Sequence, residues 1–231
     1  MLQSKRSMAR VCARINYIAA FLVFLFLVVL GGCNQQSTSV NSANTNSAPL
    51  NDNVKRGVKP EPDSQVAVIE TADFGTMVIE LYPNIAPKMV ERFKKLISEH
   101  VYDGTAIHRV DASLGIIQGG DPNSKGSNVA TYGMGNSAYP NVPAEFSDIP
   151  YERGTVGAAR TQDINGANSQ WFITLKKQPA CDKKSTDFGH VIDGIQNAEI
   201  IMRAPTAEGT SRPSDKVVIK SVTLQPRASF P

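Results

Sequence analysis

The chain has 231 residues, of which 41% are hydrophobic, and this length is enough for one or two domains with a full hydrophobic core. Its formal net charge is +3, but the first 33 residues hold four of the 24 basic residues and none of the 21 acidic ones, so the rest of the chain carries −1. We therefore expect no nucleic-acid partner, because such proteins need an excess of Lys and Arg to neutralise phosphates.

The N-terminus has the layout of an export signal. A stretch that carries only positive charge is followed by the apolar run YIAAFLVFLFLVVL at residues 17–30 and then by Gly31-Gly32-Cys33, as is typical of a signal peptide. The ending from Leu30 to Cys33 resembles a bacterial lipobox, in which Cys33 is acylated and becomes the mature N-terminus. The alternative is an uncleaved anchor, since residues 15–32 approach the length that spans a bilayer.

We predict a lipoprotein signal peptide over residues 1–32 and a flexible tether over residues 33–63. The tether is rich in Asn, Ser, Thr and Pro, so it cannot bury enough apolar surface to offset the entropy lost on ordering. The mature protein is then expected in the cell envelope, anchored by its lipid and facing away from the cytoplasm. With Cys33 acylated, Cys181 remains as the single thiol, and no intramolecular disulfide is expected.

The folded domain is predicted over residues 64–231 and begins with a hairpin and a helix. Two β-rich runs, 66–68 and 77–81, flank the turn-forming residues 72–75. Pro87 then begins a run to His100 in which apolar residues recur at helical spacing. This pattern indicates an amphipathic helix with proline in its first turn.

The stretch from Thr105 to Asp121 has the features of a binding groove. Arg109 lies in a short β-like run, so its neighbour His108 points to the opposite face and is interpreted as structural. Gln118 ends a second apolar run, just before two glycines that allow a sharp turn. Arg109 and Gln118 are therefore predicted to share one apolar surface. A guanidinium has several donors and no transferable proton, which suits binding and polarising a substrate better than acid–base chemistry.

The rest of the domain is predicted to consist mainly of short strands. Residues 122–143 form a long irregular segment, which favours a functional loop at the rim of a site. Further elements are expected as strands over 154–159 and 169–174, a helix around 192–202 and a last strand over 216–224. Trp171 adjoins Phe172 and so faces the other side of its strand, toward the core. Many short strands with few helices favour a sandwich or a closed barrel.

Motifs throughout this domain resemble those of the cyclophilins. They are FGTMVIELYP at 74–83, YDGT at 102–105, HRV at 108–110, QGGD at 118–121, PAEF at 143–146, GTV at 154–156, ART at 159–161, NSQWFI at 168–173 and DFG at 187–189. Several motifs in register over about residues 65–225 are far more specific than one short pattern. The resemblance implies an all-β fold, a closed eight-stranded antiparallel β-barrel capped by two α-helices, with peptidyl-prolyl cis/trans isomerase activity and no cofactor.

The resemblance also implies the site residues. Arg109 and Gln118 match catalytic positions, Arg109 as the donor to the prolyl nitrogen and Gln118 as the residue that hydrogen-bonds the substrate backbone. Ile116 and Phe172 match walls of the proline pocket, and Ala159 matches a position on the adjoining groove.

Other substrate-binding positions depart from the family's pattern. The central stretch has one extra residue, so that Gly115 falls where the family has a phenylalanine, with Leu114 as the substitute if the insertion lies elsewhere. Ala180 stands in place of the rim tryptophan found in many members. Cys181 and Ser185 replace a pocket leucine and a pocket histidine or tyrosine. The pocket is therefore expected to be sparse, which predicts weak or selective activity.

The chemistry of these residues agrees with the resemblance. Rotation about an X-Pro bond must break amide resonance, with a barrier of about 18–20 kcal/mol. A permanent cation aimed at the prolyl nitrogen stabilises its lone pair in the twisted state more than in the ground state. Ser169 lacks a nucleophile-elbow pattern, and the chain has neither HExxH nor CxxC spacing, so we expect neither a hydrolase triad nor a metal site.

Two functions follow from the sequence. One is an isomerase that acts on X-Pro bonds of exported proteins and assists their folding. The alternative is a module that binds proline-containing segments with little or no turnover. In both cases the expected partners are proline-containing polypeptides and, through the lipid, the membrane, and the protein is expected to be a monomer.

Overall fold

The computed structural model describes residues 53–231, so the predicted signal peptide, Cys33 and residues 33–52 of the predicted tether lie outside the described part. The strands are β1 (Val54–Lys55), β2 (Gln65–Thr71), β3 (Thr76–Leu81), β4 (Ala106–Ile107), β5 (Arg109–Asp111), β6 (Ile116–Gly119), β7 (Phe146–Ser147), β8 (Thr155–Ala158), β9 (Trp171–Thr174), β10 (Asp187–Asp193) and β11 (Val217–Pro226). The α-helices are α1 (Pro87–Ser98) and α2 (Ile195–Met202), and short 3-10 helices cover Pro122–Lys125, Val129–Thr131 and Arg227–Ser229.

Nine of these strands form one sheet, in the order β4-β11-β2-β3-β10-β8-β9-β6-β5. The strands at its two ends, β4 and β5, are separated in the chain only by His108. One run, residues 106–111, therefore pairs with β11 through its first half and with β6 through its second half, and this pairing closes the sheet. With that run counted as a single strand the antiparallel barrel has eight strands, and the predicted fold class is confirmed.

The strands divide their side chains between the barrel interior and its outer face. In β9, Trp171 and Ile173 belong to the main core, whereas Phe172 belongs to a separate apolar cluster. This division follows from the alternation of side chains along a strand. Trp171 is fully buried, as the sequence predicted, and Phe172 lies on the outer face.

Helix α1 packs an apolar face on the barrel. Its buried residues are Met89, Val90, Phe93, Leu96 and Ile97. The ring of Phe93 meets the ring of Phe188 edge-on at a centroid distance of 5.1 Å. The backbone N–H groups of Lys88 and Met89 donate to the carboxylate of Glu145 at 3.1 and 3.0 Å. This carboxylate satisfies donors that a helix leaves unpaired at its start, so it fixes α1 to the segment that precedes β7.

Residues 53–63, here termed the strap, are part of the folded domain. β1 pairs in parallel with β7, and Val54 is buried. At the other end of the strap, Asp63 forms an ion pair with Lys94 of α1 at 2.9 Å. The predicted domain start at residue 64 is therefore too late. The strap is held mainly by backbone pairing and by the burial of Val54. Such contacts require no repeating apolar pattern, so no sign of them is visible in the sequence.

The remaining predicted elements agree with the structure to within a few residues. Residues 72–75 connect β2 to β3 as a hairpin, and α2 and β11 fall at the predicted places. Within residues 53–231 no helix has the length and hydrophobicity needed to cross a membrane.

Candidate active site

A cavity of about 290 Å³ lies on the outer face of the barrel, over strands β5, β6, β8 and β9. Its lining residues are Arg109, Leu114, Ile116, Gln118, Ala158, Ala159, Arg160, Phe172, Gln178, Ala180, Cys181 and Ser185. Eight of the nine site residues predicted within the domain line this one cavity, and Gly115 is the exception.

The strand register places the polar and apolar parts of the site side by side. Arg109 is the cross-strand partner of Gln118, Gln118 of Phe172, and Phe172 of Gly157. Directly paired residues share one face of a sheet, so these positions form a row across four strands. A Cβ atom on Gly157 would meet the ring of Phe172 at less than van der Waals distance. Only glycine therefore leaves room for the aromatic ring at the end of this row.

Arg109 is held by two neighbours. Its Nη1 donates to Gln118 Oε1 at 3.2 Å, and its Nη2 pairs with Asp111 Oδ2 at 2.8 Å. The other carboxylate oxygen of Asp111 accepts from Ser113 Oγ and from the backbone N–H of Leu114. These hydrogen bonds, together with Arg109, hold the pKa of Asp111 below its usual value. Asp111 is therefore ionised at neutral pH, and the guanidinium keeps one orientation beside the cavity.

Gln118 is oriented from its other end by a second glutamine. Its Nε2 donates to Gln170 Oε1 at 3.0 Å. Gln170 in turn donates to the carbonyl oxygens of Gly133 and Gly135, at 3.1 and 2.8 Å. The predicted rim segment 122–143 is thus joined to the site by hydrogen bonds. Asp111 and Gln170 were missed in the sequence, although each lies two positions from a predicted site residue and so shares its face.

The apolar side of the cavity is a cluster outside the main core. Ile116, Tyr151 and Phe172 form this cluster, with Ala159 and Cys181 packed against it. The rings of Tyr151 and Phe172 are stacked, with centroids 5.9 Å apart and planes 17° apart. Tyr151 had no sequence signal, because it lies in a loop where no periodicity points to burial.

The prediction that Gly115 lines the pocket is wrong. Gly115 has a φ of +65° in the turn between β5 and β6, a conformation that glycine adopts without strain. A Cβ atom there would lie 2.7 Å from Cγ of Lys176, so this position faces away from the cavity. Leu114, with 42% of its surface exposed, lines the cavity instead. The alternative placement of the extra residue, with Leu114 as the substitute, therefore agrees with the structure.

The far rim of the cavity combines small side chains with one unpredicted cation. Ala180, Cys181 and Ser185 lie here, as expected. Burial raises the pKa of the Cys181 thiol, which keeps this cysteine protonated and unreactive at neutral pH. Arg160 also lines the cavity and donates to the carbonyl oxygens of Thr161 and Lys184, at 2.9 and 3.0 Å. In the sequence Arg160 was noted only as part of a motif.

His108 lies outside the site, as predicted. It is 6% exposed, and its ring nitrogens have no hydrogen-bond partner among residues 53–231. Burial lowers its pKa, so the imidazole is neutral at pH 7. Within the described residues no group of His, Cys, Asp or Glu side chains is arranged to hold a metal ion.

A buried aspartate beside the apolar cluster makes stability depend on pH. Asp187 pairs across the sheet with Gly157 and is 2% exposed, and burial raises its pKa to about 7. Asp187 has a higher pKa in the folded protein than in the unfolded chain, so its protonation stabilises the folded state. This contribution to stability is complete below about pH 4 and is lost as the pH rises through about 7. We expect the free energy of unfolding to fall by roughly 4 kcal/mol across this range.

Denaturant unfolding at a series of pH values measures this fall. Asp187→Asn should remove most of it and raise stability at pH 8, whereas the exposed Asp215→Asn should leave it in place. An unchanged pH profile in Asp187→Asn would contradict the assignment.

Comparison with known proteins agrees with this geometry. The family described as cyclophilin type peptidyl-prolyl cis-trans isomerase/CLD matches residues 66–224. A probable peptidyl-prolyl cis-trans isomerase of Brucella suis is 40% identical over 161 residues, covering 68% of this chain and 82% of that protein. The human peptidyl-prolyl cis-trans isomerase-like 3 is 35% identical over 156 residues, covering 66% and 91%.

A solved structure has the same fold. The crystal structure of a Cryptosporidium parvum cyclophilin, determined in the presence of the dipeptide Ala-Pro, superposes with a TM-score of 0.62 at 26% identity, covering 70% of this chain and 99% of that one.

The barrel, the groove and these matches together define a cyclophilin-type proline isomerase, and the chain belongs to that family. It is a peptidyl-prolyl cis-trans isomerase. The comparisons therefore support isomerase activity over binding without turnover.

Proposed function

We propose that the enzyme isomerises X-Pro bonds of exported polypeptides in the groove beside Arg109, while a lipid on Cys33 holds it at the membrane. The observation that carries the catalytic part is the direct pairing of Arg109 with Gln118 beside an apolar pocket. The relative crystallised with Ala-Pro supports the same class of ligand for this groove.

In the proposed mechanism the proline ring enters the apolar side of the cavity. Ile116 and Phe172 provide its walls, Leu114 covers it from the turn, and Gln118 hydrogen-bonds the substrate backbone. The guanidinium of Arg109 then faces the prolyl nitrogen and stabilises its lone pair as the bond twists. This interaction is stronger in the twisted state than in the planar one, as catalysis requires.

The small residues of the far rim should affect the rate of isomerisation. Ala180, Cys181 and Ser185 offer less contact to a bound segment than larger side chains would, so we propose a slow or selective enzyme. A protease-coupled assay on proline-containing tetrapeptides tests the proposal. Acceleration of cis-to-trans exchange over the spontaneous rate supports it, and peptide binding without acceleration would contradict it.

The membrane attachment is tested by Cys33→Ser. Because the sulfur of Cys33 is the proposed acceptor of the lipid, we expect the variant to lose processing at residue 33 and lipid labelling in cells. Cys181→Ser is the matched control, since that thiol lies in the folded domain, and it should leave both unchanged. Processing and labelling that survive in Cys33→Ser would rule out Cys33 as the anchor.

A further inference from the structure

The strap lies outside residues 66–224, which match the family, and it is bound to one segment of the domain in particular. β1 pairs with β7, and the backbone N–H of Asp148 donates to the carbonyl oxygen of Lys55 at 2.9 Å. The backbone N–H of Gly57 in turn lies 3.1 Å from both carboxylate oxygens of Asp148. Asp148 is thus held by the strap through its backbone and its side chain.

The strap is itself fixed to the chain that leads into α1. Lys55 Nζ donates to the carbonyl oxygens of Asn84 and Ile85 at 3.0 and 2.8 Å. The side chain of Asn84 donates to the carbonyl oxygen of Lys59 at 2.8 Å and accepts from the backbone N–H of Glu61 at 3.0 Å. These bonds make the strap a fixed support for β7, because they tie it to the domain along its length.

From Asp148 the chain runs directly to the apolar cluster of the site. Three residues later, Tyr151 stacks on Phe172, and Pro150 restricts the backbone between them. The backbone N–H of Tyr151 donates to Asp182 Oδ1 at 2.8 Å. The hydroxyl of Tyr151 is buried and has no hydrogen-bond partner among the described residues. The position of the Tyr151 ring therefore depends on packing and on its backbone.

From these contacts we infer that the strap positions the proline pocket. It holds β7 and Asp148, which set the place of Tyr151, and Tyr151 supports the ring of Phe172 from behind. Asp148 is a positioning residue, since it acts on the substrate only through Tyr151 and Phe172. The inference rests on the proposed function in one respect, that proline binds against Phe172.

The test uses the full-length chain in mild detergent and compares Asp148→Ala with Lys94→Ala. Asp148→Ala removes the side-chain contact between Asp148 and Gly57 and leaves the backbone pairing of β1 with β7 in place, whereas Lys94→Ala breaks only the ion pair between Lys94 of α1 and Asp63 of the strap. We expect Asp148→Ala to raise KM and the peptide Kd about fivefold with kcat within about twofold, since the hydrogen bond that the Asp148 carboxylate accepts from Gly57 is lost and this bond helps to fix the backbone leading to Tyr151. Lys94→Ala should change neither, and Asp148→Asn should recover most of the loss, because its amide oxygen still accepts from Gly57.

Thermal unfolding of each variant separates positioning from general destabilisation. Val54→Ala, a milder change at β1, should shift KM in the same direction by a smaller factor. Wild-type KM and Kd in a folded Asp148→Ala protein would overturn the inference, as would equal shifts in Asp148→Ala and Lys94→Ala. Peptide Kd is measured independently of turnover, so a wild-type chain that binds peptide without isomerising it would contradict the proposed function and still leave the role of the strap measurable.

Discussion

Arg109→Ala should lower kcat/KM by about 100- to 1,000-fold, the loss observed when one preorganised donor is removed from an active site. The barrel should remain folded, because the side chain lies on the outer face and is 37% exposed. The loss should fall mainly on kcat, since the hydrogen bond to the prolyl nitrogen is strongest in the twisted state. The protease-coupled assay and thermal unfolding measure the two effects.

Two further variants sharpen this prediction. Arg109→Lys should recover little activity, because an ammonium on a flexible stem cannot reproduce a planar guanidinium held by Gln118 and Asp111. Arg153→Ala is the matched control, since it removes an exposed arginine that pairs with Glu199 away from the cavity. A folded Arg109→Ala enzyme with wild-type turnover would defeat the mechanism, and so would an equal loss in Arg153→Ala.

Phe172→Ala should reduce kcat/KM by roughly 10- to 100-fold, mostly through a higher KM. The reason is that a phenylalanine contact of about 1.5–3 kcal/mol is lost, and each 1.36 kcal/mol is about tenfold. Phe172 belongs to the cluster outside the main core, so a folded barrel should survive at reduced stability. Steady-state kinetics and calorimetric peptide binding measure the change.

Phe74→Ala is the control for the loss of an aromatic ring. Phe74 packs against the main core and does not line the cavity of the site. It should lower thermal stability and leave KM unchanged, while Phe172→Leu should regain most of the binding. If Phe172→Ala and Phe74→Ala have the same KM, Phe172 does not form the pocket.

The faces of the longer strands were predictable from the sequence, and several contacts at the site were not. Alternation alone placed Trp171 on the core side of its strand and set Arg109 on the face opposite to His108. Leu114 lines the cavity and Gly115 does not, because Gly115 has a positive φ in the turn. Counting residues between Arg109 and Gln118 cannot show which position of the turn has that conformation. Tyr151 is brought to the pocket by a loop, through contacts between segments distant in the chain.

The order of the strands in the sheet also could not be predicted from hydrophobic periodicity. β4 and β7 have two residues each, too few to show alternation, and the pairing of residues 106–111 with two different strands is a long-range property. The closed barrel was therefore predicted from the resemblance to cyclophilins. Neither periodicity nor the resemblance predicted the strap, because it has no apolar pattern and lies outside the residues that match the family.

The closure of the barrel at His108 also affects how its sheet can meet other polypeptides. An open sheet presents a row of unpaired backbone N–H and C=O groups at its last strand, and such a row is a template onto which another extended chain adds and aggregates. Because β4 and β5 are two halves of one run, the nine-stranded sheet has no last strand. A proline-containing peptide bound in the proposed groove would meet side chains there and no open strand edge to which it could add.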